Sequence, residues 1–180
     1  MRLVVDANVL YPTVLRELVL GVADAGAFTP LWSERILEEW RRAALRQSEK
    51  DGLIAEGEIA LVKSRFPNAL VPVQRETEAR LYLPDPNDIH VLAAAIDGGA
   101  DGILTLNARD FPTNALAAEG LFRRDPDNLL LEAFHADEVG TRRIVEGVMA
   151  RAGAHGIDVS TPRAVLKRAR VPRLGKALYA

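Results

Sequence analysis

Four carboxylates, Asp6, Glu39, Asp88 and Asp110, stand where an α/β chain would gather acidic groups. Asp6 ends the apolar run Leu3-Val4-Val5, and Asp110 follows a second apolar run containing Ile103 and Leu104. Glu39 falls in the second turn of a predicted helix that leaves a strand, and Asp88 stands at the start of another. Carboxylates brought close together resist ionisation, whereas a divalent cation restores the charged form and offsets their repulsion. An all-oxygen donor set suits magnesium or manganese. Such an ion can activate water and stabilise the charge that develops on a phosphodiester, so hydrolysis of a nucleic-acid backbone is the leading chemistry.

Taken singly, each acid has a local explanation. Asp6 could cap the helix after it, Glu39 could pair with Arg35 or Arg42 on its helix surface, Asp88 could be an N-cap, and Asp110 a turn former. Their joint placement favours the shared site. Asn8, Thr105 and Asn107 lie close enough in sequence to orient the acids or water around a metal. Asp85 is a candidate further ligand, although the turn Asp85-Pro86-Asn87-Asp88 also accounts for it. His90 falls on a different face from Asp88 in a regular helix, which makes it a packing or substrate-edge residue.

The elements that must position these groups alternate between strands and helices. Strands are expected at residues 3–5, 28–32, 70–73 and 102–106, with a short edge strand near Leu121 and Phe122. Helices are expected through Leu15 and Val22 up to Gly26, after the N-cap Ser33, over 50–65, 76–81 and 89–96, and from Asp125 through Phe134. The alternation implies an α/β fold with a central parallel sheet and right-handed crossovers. Ligands bind beyond the carboxyl ends of strands in such sheets, and all four acids can reach that edge. Residues 1–135 form the expected sheet domain, and residues 136–180 an extension that is helical only.

Composition narrows the alternatives. The 180 residues, 48% hydrophobic and 27% charged, suffice for a full core. With no cysteine there is no thiol nucleophile or thiolate zinc site, and three scattered histidines disfavour a histidine-rich metal centre. Met1-Arg2 runs directly into Leu3-Val4-Val5 without the apolar stretch of a secretory signal, and no segment is apolar enough to span a bilayer, so a cytoplasmic protein with no membrane partner is expected. A net charge of -2 argues against nucleic-acid binding by bulk charge. Local cations remain: Arg41, Arg42, Arg46, Lys63 and Arg65 near Glu39, and a basic C-terminal stretch from Arg163 to Lys176 that reads as a solvated face or a partner-contacting one. Asn8 stands where an aspartyl-phosphate phosphatase needs a second Asp, and Asp6-Ala7-Asn8-Val9 lacks the glycines of a phosphate-binding loop.

These motifs resemble the PIN-domain ribonucleases, the family that includes VapC-like toxins of bacterial toxin-antitoxin modules. Val4-Val5-Asp6-Ala7-Asn8-Val9-Leu10 is similar to its opening motif, the helix from Ser33 through Glu39 and Trp40 to its glutamate helix, and Asp85-Pro86-Asn87-Asp88 running into Leu92-Ala93-Ala94-Ala95 to its third motif. Leu104-Thr105-Leu106-Asn107-Ala108-Arg109-Asp110 is similar to the strand and loop that carry the fourth acid. The resemblance implies a PIN-like three-layer α/β/α fold and an endoribonuclease dependent on Mg2+ or Mn2+, with Asp6, Glu39, Asp88 and Asp110 as catalytic and metal-binding positions. Glu39 is preferred to Glu38 because it directly precedes Trp40. RNA is the implied substrate, an antitoxin protein and a second copy of the chain the implied partners. The competing reading is a non-catalytic PIN-like module that binds RNA or protein. Asn107 stands where many members carry another Asp, which implies coordination by fewer protein carboxylates.

Overall fold

The first apolar run becomes the centre of a sheet. In the computed structural model, which describes residues 1–179, β1 (Arg2–Val5) pairs in parallel with β2 (Thr29–Leu31) on one side and β3 (Gly102–Leu104) on the other. β4 (Phe122–Arg124) extends β3, giving the order β2-β1-β3-β4, parallel throughout. Leu3, Val4 and Val5 are fully buried, as are Ile103 and Leu104. Successive strand residues point to opposite faces, so uninterrupted burial means that both faces are covered, as in the expected three-layer α/β/α fold.

The helices are α1 (Ala7–Leu10), α2 (Thr13–Asp24), α3 (Glu34–Leu45), α4 (Glu49–Arg65), α5 (Arg75–Arg80) and α6 (Ile89–Asp97). They continue with α7 (Thr113–Ala118), α8 (Pro126–Ala136), α9 (Glu138–Ala154), α10 (Pro162–Arg168) and α11 (Pro172–Leu178). Ser33 caps α3 as expected, its hydroxyl accepting from the Ile36 N–H at 3.2 Å. No helix is long and apolar enough to cross a membrane among the described residues.

Two expected strands are corrected. Residues 70–73 form no strand; they make a single parallel bridge, Leu70 opposite Trp32, and the ladder stops there because the chain beyond Trp32 turns at the N-cap Ser33 into α3. β3 ends at Leu104 because the next backbone donors are diverted: Leu106 N–H donates to the Asn8 side chain at 3.1 Å, and Asn107 N–H to the Thr105 hydroxyl at 2.9 Å. The one-and-a-half-turn α7 was not anticipated; it follows Pro112, whose fixed backbone suits a helix start.

The chain divides into two compact units. One comprises Met1–Tyr11 and Thr29–Arg124, and holds the sheet with α1 and α3 to α7. Within it α6 packs on β1 and β3, α3 on α4, and α1 on α3. The other comprises Pro12–Phe28 with Asp125 onward, so α2 and α8 join the helices after residue 136. There α2 packs on α9 at Gly21, where an added Cβ would lie 2.6 Å from the Ile144 side chain.

The second unit is also tied by a buried carboxylate. Asp127 on α8 accepts from the Arg173 and Leu174 N–H groups at 2.9 and 3.0 Å, capping α11 from a distant helix where its own N-cap, Val171, offers no side-chain acceptor. Removing that acceptor strands two helix-terminal donors. Asp127→Ala should therefore lose about 1–3 kcal/mol in urea denaturation, with Asp127→Asn recovering part of it; equal stability of the Ala variant and the unaltered protein would refute this role.

Candidate metal centre

The strand order creates the crevice. After β1 the chain proceeds to β2 on one side, and after β3 to β4 on the other, so the connections diverge between the carboxyl ends of adjacent β1 and β3. Asp6 immediately follows β1, and Thr105 immediately follows β3. Asp6 N–H donates to Leu104 O at 3.0 Å, which carries the sheet pairing right up to the carboxylate.

The Asp6 side chain is only 5% exposed. It does not cap α1; instead its Oδ2 accepts from the Thr105 hydroxyl at 2.7 Å and from Asn8 Nδ2 at 2.6 Å. Asn8 Nδ2 also lies 3.0 Å from Thr105 Oγ1, and Asn8 Oδ1 receives the Leu106 N–H. One carboxylate oxygen, one hydroxyl and one amide thus lock the ends of β1 and β3 together. Burial pushes the Asp6 carboxyl above its usual pKa and Glu39 adds to the rise, against the opposing bond from Thr105.

A second group of acids gathers beside it. Asp85, Asp88 and Asp110, all half-buried, each bring a carboxylate oxygen within 4.8 Å of the others. Asp85 starts a 3-10 turn, Pro86–Asp88, and caps it by accepting the Asn87 N–H at 2.9 Å and Asn87 Nδ2 at 3.0 Å, both on Oδ1. Asp88 makes no capping bond to α6, which leaves its carboxylate for other work. Asp110 is held by the Asn107 amide, which bonds Oδ2 and receives the Asp110 N–H through Oδ1.

Asp88 bears the consequence of this gathering. Burial, followed by the charges of Asp6, Asp85, Asp110 and Glu39, pushes its carboxyl up from 3.8 to about 6. The other three acids expected from the sequence therefore all act on Asp88, and Asp85 acts on it with them. The oxygen-only donor set and the uncompensated negative charge fit a hard divalent cation.

A cleft of about 730 Å³ is lined by Asp6, Asn8, Glu39, Asp88, Arg42 and Arg46, with Tyr11, Gln47 and Asn87 among its other walls; Asp85 and Asp110 are not in its lining. Glu39, and not Glu38, lines it. Glu38 instead binds Arg41 and Arg42 at 2.7 and 2.8 Å, and these arginines hold its carboxyl down at about 2. Of the cations expected near the site, Arg41 is tied to Glu38 and Glu56, and Lys63 to Glu34; Arg42 and Arg46 line the cleft, whereas Arg41, Lys63 and Arg65 do not. The sequence reading missed the place of His90: its Nε2 lies 2.7 Å from Glu39 Oε1.

A family model described as PIN domain matches residues 2–109, more than half of the 180-residue chain and ending one residue short of Asp110. No curated protein and no solved structure matches the chain.

The raised Asp88 pKa fixes a sign. Between about pH 4 and 6 the folded protein keeps a proton that the unfolded chain releases, so without metal rising pH costs stability across that window. In EDTA, Asp88→Asn should melt higher than the unaltered protein at pH 7.5, and the advantage should shrink towards pH 4. Mn2+ should raise the melting temperature of the unaltered protein more at pH 7.5 than at pH 5. A pH-independent difference between the two proteins would contradict the crowding of charge on Asp88.

Proposed function

We propose that this chain, which belongs to the PIN-domain family, is a divalent-metal-dependent endoribonuclease that hydrolyses RNA phosphodiester bonds. The observation that carries the reading is the position of Asp88, a carboxyl raised to about 6 by burial and by Asp6, Asp85, Asp110 and Glu39, in a cleft that Arg42 and Arg46 also line. Acidic groups and guanidinium groups in one cleft suit a substrate that brings phosphates to a cation.

Asp85, Asp88 and Asp110 would hold the ion, with Asp6 and Glu39 bordering it. When bound, Mg2+ or Mn2+ supplies the positive charge that activates water and stabilises the phosphodiester transition state. Thr105 and Asn8 hold Asp6 in a single orientation, so that it borders the cleft without a rotamer search. Asn107 likewise holds Asp110. Arg46, for which no ion pair forms among the described residues, and Arg42 would contact phosphates flanking the scissile bond and set the register of the chain without reading bases.

The purified protein should cleave single-stranded RNA in Mg2+ or Mn2+ and stop in excess EDTA. Folded Asp6→Asn and Asp88→Asn variants should lose on the order of a hundredfold or more in rate. RNA that is bound but left intact across both metal titrations would establish the non-catalytic binding module instead.

We further read the nuclease as the toxin of a toxin-antitoxin pair, a cytoplasmic protein restrained by a dedicated partner; this rests on the resemblance to VapC-like members. Its expression should arrest growth, and co-expression of the neighbouring gene product should relieve the arrest. Normal growth at full expression of cleavage-competent protein would remove the toxin role and leave the nuclease intact.

A further inference from the structure

Two acids of the cleft lie outside the Asp85, Asp88 and Asp110 group: Asp6, fixed at the end of β1, and Glu39, which comes from α3. The Glu39 side chain is about one-third exposed and has three rotatable torsions, so some other group must fix where its charge lies. Both ion-pair contacts of its carboxylate fall on one oxygen. His90 Nε2 approaches Oε1 at 2.7 Å, and Arg35 Nε approaches the same atom at 4.0 Å.

The two neighbours are not equivalent. Arg35 is 50% exposed and is shared with Glu78 at 3.8 Å, an arrangement that in water contributes little orientation. His90 is 1% exposed, and α6 carries it beside the fully buried Val91 into contact with β1 and β3. The imidazole is therefore immobile, whereas the carboxylate head can swing. Neither ring nitrogen makes an aligned hydrogen bond: Nδ1 has no partner, and Nε2 meets Glu39 out of line with its N–H direction. A buried polar ring so incompletely satisfied is a poor choice for packing, where Leu or Met would fill the space without a desolvation cost.

His90 also borders a second cavity, of about 560 Å³, with Ser33, Arg35, Glu78 and residues 70–73 in its walls, while Glu39 lines the acidic cleft. The Glu39–His90 contact thus links a residue lining one space to a residue lining the other. On α6 His90 lies two residues after Asp88, so whatever it does to Glu39 also sets the position of the α3 carboxylate relative to the Asp88 group.

Resting on the metal-dependent nuclease reading, we propose that His90 is a positioning residue for Glu39: the fixed imidazole holds Oε1 on the side away from the cleft and so presents Oε2 to the cation. His90 touches neither substrate nor metal in this arrangement, and its effect passes entirely through Glu39. A glutamine at this position places an amide nitrogen near the site of Nε2, whereas an asparagine reaches only the site of Nδ1. Both keep a buried polar group, and a packing difference between them would persist in the absence of the Glu39 carboxylate, whereas a positioning effect would not.

The experiment is Mn2+ titration calorimetry on the full chain, with RNA cleavage measured alongside, for the unaltered protein, His90→Gln, His90→Asn and each combined with Glu39→Gln. Outer contacts of this type are worth about tenfold or more in metal affinity. His90→Asn should weaken Mn2+ binding about tenfold and lower kcat with KM for RNA unchanged, while His90→Gln stays within about threefold of the unaltered protein. In the Glu39→Gln background the two should bind Mn2+ alike. Equal Mn2+ affinity and kcat for His90→Gln and His90→Asn, or a difference that persists without Glu39, would overturn the assignment and leave the nuclease reading standing. Separation of the two in Mn2+ affinity without any RNA cleavage would keep the assignment and remove the nuclease.

Discussion

Repulsion among the carboxylates around Asp88 is the constraint on which the rest of this site depends. Isolated acids on flexible loops would relieve it by turning to solvent, at the cost of a rotamer or two. Here they cannot all do so. Asp6 is held from behind by Thr105 and Asn8, Asp110 by Asn107, and Asp85 by the turn it caps. Asp88 is left with a carboxyl pushed up to about 6. The fold stores the conflict instead of dispersing it, and a cation is the means by which oxygen donors resolve such a conflict without moving.

The sheet makes this storage affordable in structural terms, because the acids sit at its carboxyl edge and not inside it. β1 and β3 are apolar to their last residue and switch to polar side chains at the next: Val5 to Asp6, and Leu104 to Thr105. The pairing of Val5 with Leu104 brings those polar positions side by side. Register is therefore part of the chemistry. A one-residue slip would set Asp6 beside an apolar neighbour and deprive it of the Thr105 hydroxyl, leaving a buried charge with fewer donors.

What can be read from the chain follows the range of the interactions involved. Asp6 is legible because an apolar run ending in Asp is a local pattern, and the strand, turn and helix that produce it are local too. Thr105, Asn8 and Asn107 could be named as supports because they lie within two or three residues of an acid or a strand end. Asp85 was discounted for a sound local reason, its turn, yet its capping bonds occupy only Oδ1, so capping and membership of the acidic group are compatible. The His90 contact joins α3 to α6, and helical periodicity on α6 alone says only that His90 and Asp88 diverge. That divergence is real; what it missed is that Glu39 arrives from the other side. The strand expected at residues 70–73 fails for a comparable reason: its residues are apolar enough, but its partner beyond Trp32 turns into α3 and offers no further rung.

Adjacent residues on α3 show how finely the placement is divided. Glu38 and Glu39 lie about 100° apart around the helix. The first turns to Arg41 and Arg42 and is held far into its ionised range; the second turns to the cleft and to His90. Arg42 belongs to both settings, since it lines the cleft while its Nε stays 2.8 Å from Glu38. Its charge is already matched in the resting protein, and a phosphate would have to compete with that exposed pair. Arg46, one turn further along the same wall, carries no such bond. The two guanidinium groups are therefore unequal: among the described residues Arg46 offers an unmatched charge to an anion entering the cleft, and Arg42 one whose release depends on what Glu38 retains through Arg41.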